Sequence, residues 1–408
     1  LKIRKLYEVT DITLSLPSSK SLANRVLVLA AQSKGEFSLL GDFQAEDVQL
    51  MISALRELGL SINDTSQGLL ITNDLSWKDS DEDLELYLGN SGTCVRFLSS
   101  LVPLRKGLTV LTGKQRMKER PIGDMTRALI QLGVEVQFLD NYGYPPVEYS
   151  FQNQSQSDVS ISGKTSSQYL SSLLLSASSY PMGMNIRING DLISKPYIVL
   201  TLDLLEKLGI HVEELEDGYR ISPQALEAHD YIVEGDASAA VYWWAFGYLH
   251  DVDVNFENLE QNSVQGDMKF VDVLESLNIH SEGFFELDMN DLPDASMMLM
   301  ALAPTLDFPV KITNIASLRV KETDRIQAMA TELKKLGVQV EASEDSIFID
   351  PSSFKDHPDE IEIETYDDHR IAMCFAILGT KIGNIVIKDP DCVNKTYPNF
   401  WQDLDCVS

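Results

Sequence analysis

Hydrophobic and polar positions recur along the chain in one arrangement. An Ala/Ser-rich stretch, apolar on nearly every side, is followed by a short β-branched run. A stretch with apolar residues at helical spacing comes next, and then another short apolar run. The copies begin with LANRVLVLAAQSKG, VRFLSSLVPLRKG, SQYLSSLLLSASS, ASAAVYWWAFGYL, DASMMLMALAP and HRIAMCFAILG, and the last is cut short after NFWQDL. The first stretch of each copy predicts a buried helix and the second an amphipathic outer helix. Gly59, Gly133, Gly209 and Gly337 stand where the outer helix must stop, a place that suits a left-handed residue, and Asn278 takes that place in the fourth copy. The copies lie about 60 to 75 residues apart, too long for a solenoid repeat. Strands and helices alternate, so the fold class is α/β or α+β, with six units suggesting two domains of three. Pro223 and the polar stretch to Asp230 read as the linker.

One amphipathic stretch stands out, LRVKETDRIQAMATELKKL from Leu318 to Leu336. Arg319, Lys321, Glu322, Asp324 and Arg325 crowd its start, and Ile326, Met329, Ala330, Leu333 and Leu336 follow at helical spacing, with Thr323 or Asp324 as the cap. Backbone amides at a helix start already favour an anion. The segments before the six buried helices repeat the theme. LPSSKSLANR places Lys20 and Ser21 at a helix start with Arg25 one turn on. LGNSGTCVR offers Gly89 and Gly92 for close backbone approach, Asn90 and Thr93 as caps, and Arg96. SGKTSSQ supplies Ser166, Ser167 and Gln168. EGDAS, LPDAS and TYDDHR precede the last three, the final one bringing His369 and Arg370. Any one of these is an ordinary capped helix start. If they converge, they make a cleft of amides and cations suited to phosphates and carboxylates. Arg116, Lys118 and Arg120 in one loop and Lys395 in another add cations, with Lys118 and Arg120 also readable as structural ion-pair partners.

Composition sharpens this picture. The 408 residues carry a formal net charge of −29, a field that repels nucleic acid and anionic membranes. A site for anions must then be a local cationic island. Cys94, Cys374, Cys392 and Cys406 have no CxxC or zinc spacing and make no disulfide framework, which points to a reducing, cytoplasmic compartment. No apolar run reaches the roughly 20 residues that span a bilayer, and the N-terminal stretch lacks the apolar core of a signal peptide. A Ser/His/Asp triad, a Walker lysine and a dinucleotide fingerprint are all missing, which disfavours a nucleotide kinase or a dehydrogenase. Asp294 and Glu322 each stand at a helix start among cations, where the cations lower a carboxyl pKa and burial raises it, and a pair in differing environments would give one proton acceptor and one donor.

LPSSKSLANR, LGNSGT, RMKERPIG, SSQYL, SKPY, VEGDAS, LPDAS, RVKETDR, YDDHRIAMCF and DPDCVNKTYP follow one another from Pro17 to Pro398. In this set and order the chain resembles the 5-enolpyruvylshikimate-3-phosphate synthase family. The resemblance implies a two-domain inside-out α/β barrel of six βαββαβ units, three per domain. One lobe is expected over 18–233 and the other over 1–17 with 234–408, with the active site in the cleft between them. It implies transfer of the enolpyruvyl group of phosphoenolpyruvate to the 5-hydroxyl of shikimate 3-phosphate through a tetrahedral intermediate, with no cofactor or metal, by a monomer. Carried over by motif, Lys20, Ser21, Arg25, Ser166, Ser167, Gln168, Ser194, Tyr197, Asp294 and Lys321 are expected to hold shikimate 3-phosphate. Lys20, Asn90, Gly92, Arg116, Gln168, Arg325, Arg370 and Lys395 are expected to hold phosphoenolpyruvate. Asp294, Glu322 and Lys20 are the expected catalytic groups, with Asp294 taking the 5-hydroxyl proton and Glu322 protonating the methylene carbon. Three positions depart from the family pattern: Ser18 stands where Gly is usual, Ser317 where Asn is frequent and Phe97 where Pro is common. Gly92 implies sensitivity to glyphosate, which occupies the phosphoenolpyruvate site in this family. The alternatives are a UDP-N-acetylglucosamine enolpyruvyl transferase, whose loop cysteine has no counterpart in 113–121, and a non-catalytic phosphometabolite-binding protein.

Overall fold

The computed structural model describes residues 1–151, 153–164, 166–280, 283–354 and 359–407. The chain opens with β1 (Ile12–Leu14), α1 (Lys20–Ala30), β2 (Ser33–Leu40), α2 (Glu46–Glu57), β3 (Ser61–Thr65) and β4 (Gly68–Asn73). It continues with β5 (Leu84–Tyr87), α3 (Gly92–Leu101), β6 (Thr109–Thr112), α4 (Gly123–Gln131), β7 (Glu135–Phe138) and β8 (Val147–Ser150). Next come β9 (Asp158–Ser162), α5 (Ser167–Ser176), β10 (Met184–Asn189), α6 (Pro196–Lys207), β11 (Glu213–Leu215), β12 (Gly218–Ile221), β13 (Leu226–Glu227) and β14 (Tyr231–Ile232). The fourth repeat holds α7 (Ala237–His250), β15 (Val254–Phe256) and α8 (Phe270–Ile279). The fifth holds β16 (Phe285–Asp288), α9 (Ser296–Leu302), β17 (Val310–Thr313), α10 (Arg325–Lys335), β18 (Gln339–Ala342) and β19 (Ile347–Asp350). The last holds β20 (Ile361–Ile363), α11 (His369–Ile382), β21 (Ile385–Ile387) and α12 (Phe400–Cys406). These elements divide into two compact units, residues 18–233 and residues 1–17 with 234–408.

Complete repeats run β-α-β-α-β-β rather than the expected β-α-β-β-α-β. In the second, β5 and β6 are parallel across α3, and β8 then pairs antiparallel with both β6 and β7. Both hairpin strands follow the outer helix, because the Leu-Gly stop turns the chain straight into a short antiparallel pair. The third and fifth repeats give the same order, β11-β12-β10-β9 and β16-β17-β19-β18, and no sheet closes on itself among the described residues. Gly59, Gly133, Gly209 and Gly337 all lie at positive φ, from +78° to +111°. Asn278 does not act as the fourth stop. It lies inside α8, which ends through an extended His280.

In the unit of residues 18–233, α1, α3 and α5 pack on one another with the sheets outside. All ten residues of α3 are buried. Its small residues let α5 approach closely, and their hydroxyls satisfy one another: Ser100 Oγ lies 2.7 Å from Ser172 Oγ and 2.8 Å from Ser176 Oγ. That answers how polar residues sit in a buried helix without an unmet hydrogen bond. The stretch from Pro223 to Asp230 is not a free linker. β13 and β14 both pair with β2, and Leu226 is buried, so this polar segment closes the first sheet. In the other unit α7, α9 and α11 form the buried helical layer, and β1 pairs with β15.

Candidate active site

Residues 1–17 and 234–408 bring the starts of α9, α10 and α11 together through charge. Arg325, the first residue of α10, is 1% exposed and bridges three carboxylates. Its Nε lies 2.7 Å from Asp368 Oδ2, one Nη 2.9 Å from Asp294 Oδ1, and the other 2.9 Å from Glu322 Oε2. Asp294 also meets Lys321 Nζ at 3.1 Å and Arg370 at 3.5 Å, and Glu322 meets Lys395 Nζ at 3.8 Å. Four cations (Lys321, Arg325, Arg370, Lys395) thus face three carboxylates (Asp294, Glu322, Asp368), a balance of +1 within a chain of −29. Burial opposes the charge on Asp294, yet Lys321, Arg370 and Arg325 outweigh it and hold the carboxyl far below the usual range. Burial likewise opposes the charge on Arg325, and Asp368, Glu322 and Asp294 reverse the effect. On Lys321 burial prevails and lowers the ammonium pKa, with Asp294 offsetting part of the shift.

The turn into α11 is strained. Tyr366 and Asp367 both lie at φ +56°, which costs non-glycine residues on the order of 1–3 kcal/mol each. Beyond the turn, Asp368 caps α11, accepting from the Arg370 amide at 2.9 Å while its carboxylate holds Arg325. The strained turn therefore delivers both Arg370 and the partner of Arg325.

Asp267 belongs to the surroundings of this cluster. It is buried against the Ser238 hydroxyl, and burial pushes its carboxyl up to about 6, with Arg370 pulling the other way. For a carboxyl whose folded pKa is raised, ionisation costs stability. The cost begins as pH climbs past the unfolded value near 4 and is complete above about 6. Asp267→Asn is therefore expected to stabilise the protein by about 3 kcal/mol at pH 8 and by about half as much at pH 5. Urea unfolding at the two pH values checks this, and equal effects at both would refute it.

In residues 18–233, Ser19, Ser91 and Ser166 cap α1, α3 and α5. The cap of α3 is thus Ser91, not Asn90 or Thr93. Gln168 ties two of these helix starts, accepting from Arg96 at 2.5 Å and donating to Thr93 Oγ1 at 3.1 Å. Lys20 pairs with Asp47 at 3.1 Å, and the backbone carbonyl of Asp47 accepts from Cys94 Sγ at 3.3 Å, which links the third start. Arg120 is buried, donates to the Asn90 carbonyl at 3.0 Å and lies against Gly92. A Cβ on Gly92 would fall 2.5 Å from its guanidinium.

The expected residues therefore separate. Lys20, Asn90, Gly92, Ser166, Ser167 and Gln168 stand at the three helix starts of one unit, and Asp294, Lys321, Glu322, Arg325, Arg370 and Lys395 cluster in the other. Arg116 departs from expectation: it is about one-third exposed and pairs with Glu119 three residues on. Arg120, read from sequence as a possible ion-pair residue, is the loop cation placed against Gly92. Spacing alone could not separate two arginines four apart, and only the 3₁₀ turn at Met117–Glu119 decides which one turns inward. Arg25 is 2% exposed and braced on all sides. It donates to Thr201, Ser171 and the carbonyls of Ser21 and Tyr197, and its guanidinium lies 5.1 Å from the Phe97 ring centroid. Burial lowers its pKa to about 10. Ser194 is buried at φ +53°, two residues before α6. At the positions that depart from the family pattern, Phe97 supports Arg25. The Ser18 hydroxyl accepts from the Asp42 amide at 2.8 Å and fills space left by Gly41. Nothing in the structure explains Ser317.

The family model for EPSP synthase (3-phosphoshikimate 1-carboxyvinyltransferase) matches residues 9–404. The chain belongs to this family. A 3-phosphoshikimate 1-carboxyvinyltransferase of Erwinia tasmaniensis is 39% identical over 421 residues, covering 98% of this chain and 97% of the relative. One from Vibrio atlanticus is 37% identical over 412 residues, covering 97% and 96%. Among solved structures, an EPSP synthase from Acinetobacter baumannii superposes with a TM-score of 0.77 at 22% identity, covering 100% of this chain and 98% of that one. The enolpyruvyl transferase NikO from Streptomyces tendae gives 0.75 at 15% identity, with 100% and 96% covered. Both agree with the two-domain α/β fold. No helix of the described residues is long and apolar enough to cross a membrane, and none of their His, Cys, Asp and Glu groupings could hold a metal ion.

Proposed function

We propose that the protein transfers the enolpyruvyl group of phosphoenolpyruvate to the 5-hydroxyl of shikimate 3-phosphate, releasing phosphate, as a step of aromatic biosynthesis. The observation that carries this reading is the buried Arg325 bridging Asp294, Glu322 and Asp368, with Lys321, Arg370 and Lys395 around it. Two anionic substrates need cations, and an addition followed by an elimination needs carboxylates that accept and donate protons. Both are present in one buried cluster.

On this reading the 5-hydroxyl oxygen bonds to C2 of phosphoenolpyruvate as Asp294 takes its proton, and Glu322 protonates C3. The intermediate then loses a proton from C3 and expels phosphate, restoring the double bond. Arg325, Arg370 and Lys395 hold phosphoenolpyruvate, and Lys321 holds shikimate 3-phosphate. From residues 18–233, Lys20, the Gly92 amide, Gln168 and Arg120 serve phosphoenolpyruvate. Ser21, Ser166, Ser167, Ser194 and Tyr197 serve shikimate 3-phosphate, with Arg25 as their buried brace. The protein acts as a cytoplasmic monomer on the same reading, which light scattering of the purified chain would check.

The deciding experiment mixes purified protein with both substrates, without metal or nucleotide, and measures phosphate release. Release that requires both substrates supports the assignment. Release with UDP-N-acetylglucosamine in place of shikimate 3-phosphate would move the chain to the other transferase, and binding without release would make it a binding protein. Gly92→Ala adds a test of the site. The new methyl must displace Arg120, so KM for phosphoenolpyruvate is expected to rise about tenfold with kcat within a few-fold, and glyphosate inhibition to weaken with it. An unchanged KM would argue against this placement.

A further inference from the structure

Besides Arg325, Glu332 is the charged residue on the buried face of α10. Its neighbours there are Ile326, Met329, Ala330 and Leu333, yet Glu332 itself is fully buried. A buried carboxylate persists only when its oxygens are well supplied with donors. Three are present: the Tyr366 hydroxyl at 2.7 Å, the Glu364 amide at 3.0 Å and Lys335 Nζ at 2.6 Å. Two of them belong to the segment leading into α11. Lys335 secures the strand before that segment as well, donating to the Glu362 carbonyl at 3.0 Å.

Arg325 and Glu332 are seven residues apart on one helix and therefore share a face. Glu332 grips the chain at 364 and 366, and Arg325 grips it at 368. Tyr366 and Asp367, the two residues at positive φ, lie within this span. A backbone in that region relaxes unless its surroundings fix it. The proton-transfer chemistry has no use for Glu332 or Tyr366. What they do hold is the approach to Asp368 and Arg370.

We propose that Glu332 and Tyr366 are positioning residues that clamp the 364–368 turn onto α10 and thereby set Arg370, and the Asp368 partner of Arg325, for phosphoenolpyruvate. This rests on the reading of Arg325 and Arg370 as ligands of that substrate. Neither clamp residue touches the reacting atoms. Their effect is on where two cations stand.

The test is steady-state kinetics on Tyr366→Phe, Glu332→Gln and Glu332→Leu, with each KM measured at saturation of the other substrate. Tyr366→Phe removes one hydroxyl from a side chain with an exposed edge and should fold. Its KM for phosphoenolpyruvate is expected to rise about tenfold, the loss of roughly one hydrogen bond, with KM for shikimate 3-phosphate within about twofold. Glu332→Gln keeps a carbonyl oxygen for the Glu364 amide and Lys335, and its amide nitrogen can donate to the Tyr366 hydroxyl in place of the bond that hydroxyl now donates, so it should stay within about threefold of wild type. Glu332→Leu, of similar volume and without an acceptor, should match or exceed Tyr366→Phe. A merely structural role would lower the active fraction, so kcat would fall while both KM values held. That pattern, or an unchanged KM for phosphoenolpyruvate in Tyr366→Phe, overturns the proposal. Wild-type turnover of the substrate pair is the separate control: without it the functional reading falls and this inference with it, whereas turnover with unmoved variants removes the inference alone.

Discussion

Asp294→Asn is expected to lower kcat about 10³-fold while leaving KM for phosphoenolpyruvate no higher than in wild type. The asparagine keeps the shape at the head of α9 but cannot take a proton. It also removes the charge that Lys321, Arg325 and Arg370 share, so those cations meet an anionic substrate with less competition. The same three cations hold the Asp294 carboxyl low in the unliganded protein, which makes it a weak base there. Substrate carboxylate and phosphate groups drawing on those cations would raise its proton affinity, so the base strengthens as the substrates arrive. An acid limb in wild-type kcat, absent from the residual activity of Asp294→Asn, is the matching pH signature. Stability gives an independent reading. A depressed carboxyl contributes stability above its unfolded pKa near 4, and that contribution is lost as pH falls toward the folded value. The variant should therefore be less stable than wild type at pH 7, with the gap closing below about pH 4. Full turnover in Asp294→Asn would end its assignment as the base.

Glu322→Gln should cost kcat about 10²- to 10⁴-fold for a different reason. Glu322 is nearly buried, with one oxygen 2.9 Å from Arg325 and the other 3.8 Å from Lys395. As the donor to C3 in addition and the acceptor from C3 in elimination, it handles a proton twice in each turnover, and an amide handles it in neither. Arg325 retains Asp368 and Asp294 in the variant, so the fold should survive. Turnover in heavy water separates the roles: the wild type should place solvent deuterium at C3, and Glu322→Gln should lose that exchange together with phosphate release. Loss of release with exchange retained would move the C3 proton to another group.

Much of this was readable beforehand, for reasons of period. The buried helices are apolar on every side and the outer ones on one side, so the alternation of buried helix, strand and outer helix followed from spacing, although the placing of both hairpin strands after the outer helix did not, and the Leu-Gly stops marked helix ends that the structure keeps. Asn278 failed because Asn tolerates a left-handed turn without requiring one, and α8 runs past it. The Pro223–Asp230 stretch was misread because two-residue strands carry too few positions to show alternation. Within the site, residues at helix starts were legible because caps have a sequence signature. The loop cations were not, since a 3₁₀ turn sends Arg120 inward and leaves Arg116 outside. Glu332 was invisible for a related reason: with Lys335 three residues later it has the look of a surface ion pair, and its burial depends on Tyr366, far along the chain.

The caps of the buried helices also differ in kind. α1, α3 and α5 are closed by Ser19, Ser91 and Ser166, whereas Asp236 and Asp368 close α7 and α11. A serine satisfies an amide and leaves the partial positive charge of the helix end unspent, while an aspartate supplies a full built-in counter-ion. Residues 18–233 thus greet an anion with oriented dipoles, which neither titrate nor exchange partners. In the other unit the ends of α7 and α11 already carry an aspartate, and α9 begins after Ala295 with no side-chain cap, so its hold on an anion leans on ion-paired side chains and is the one that can be switched by what else is bound.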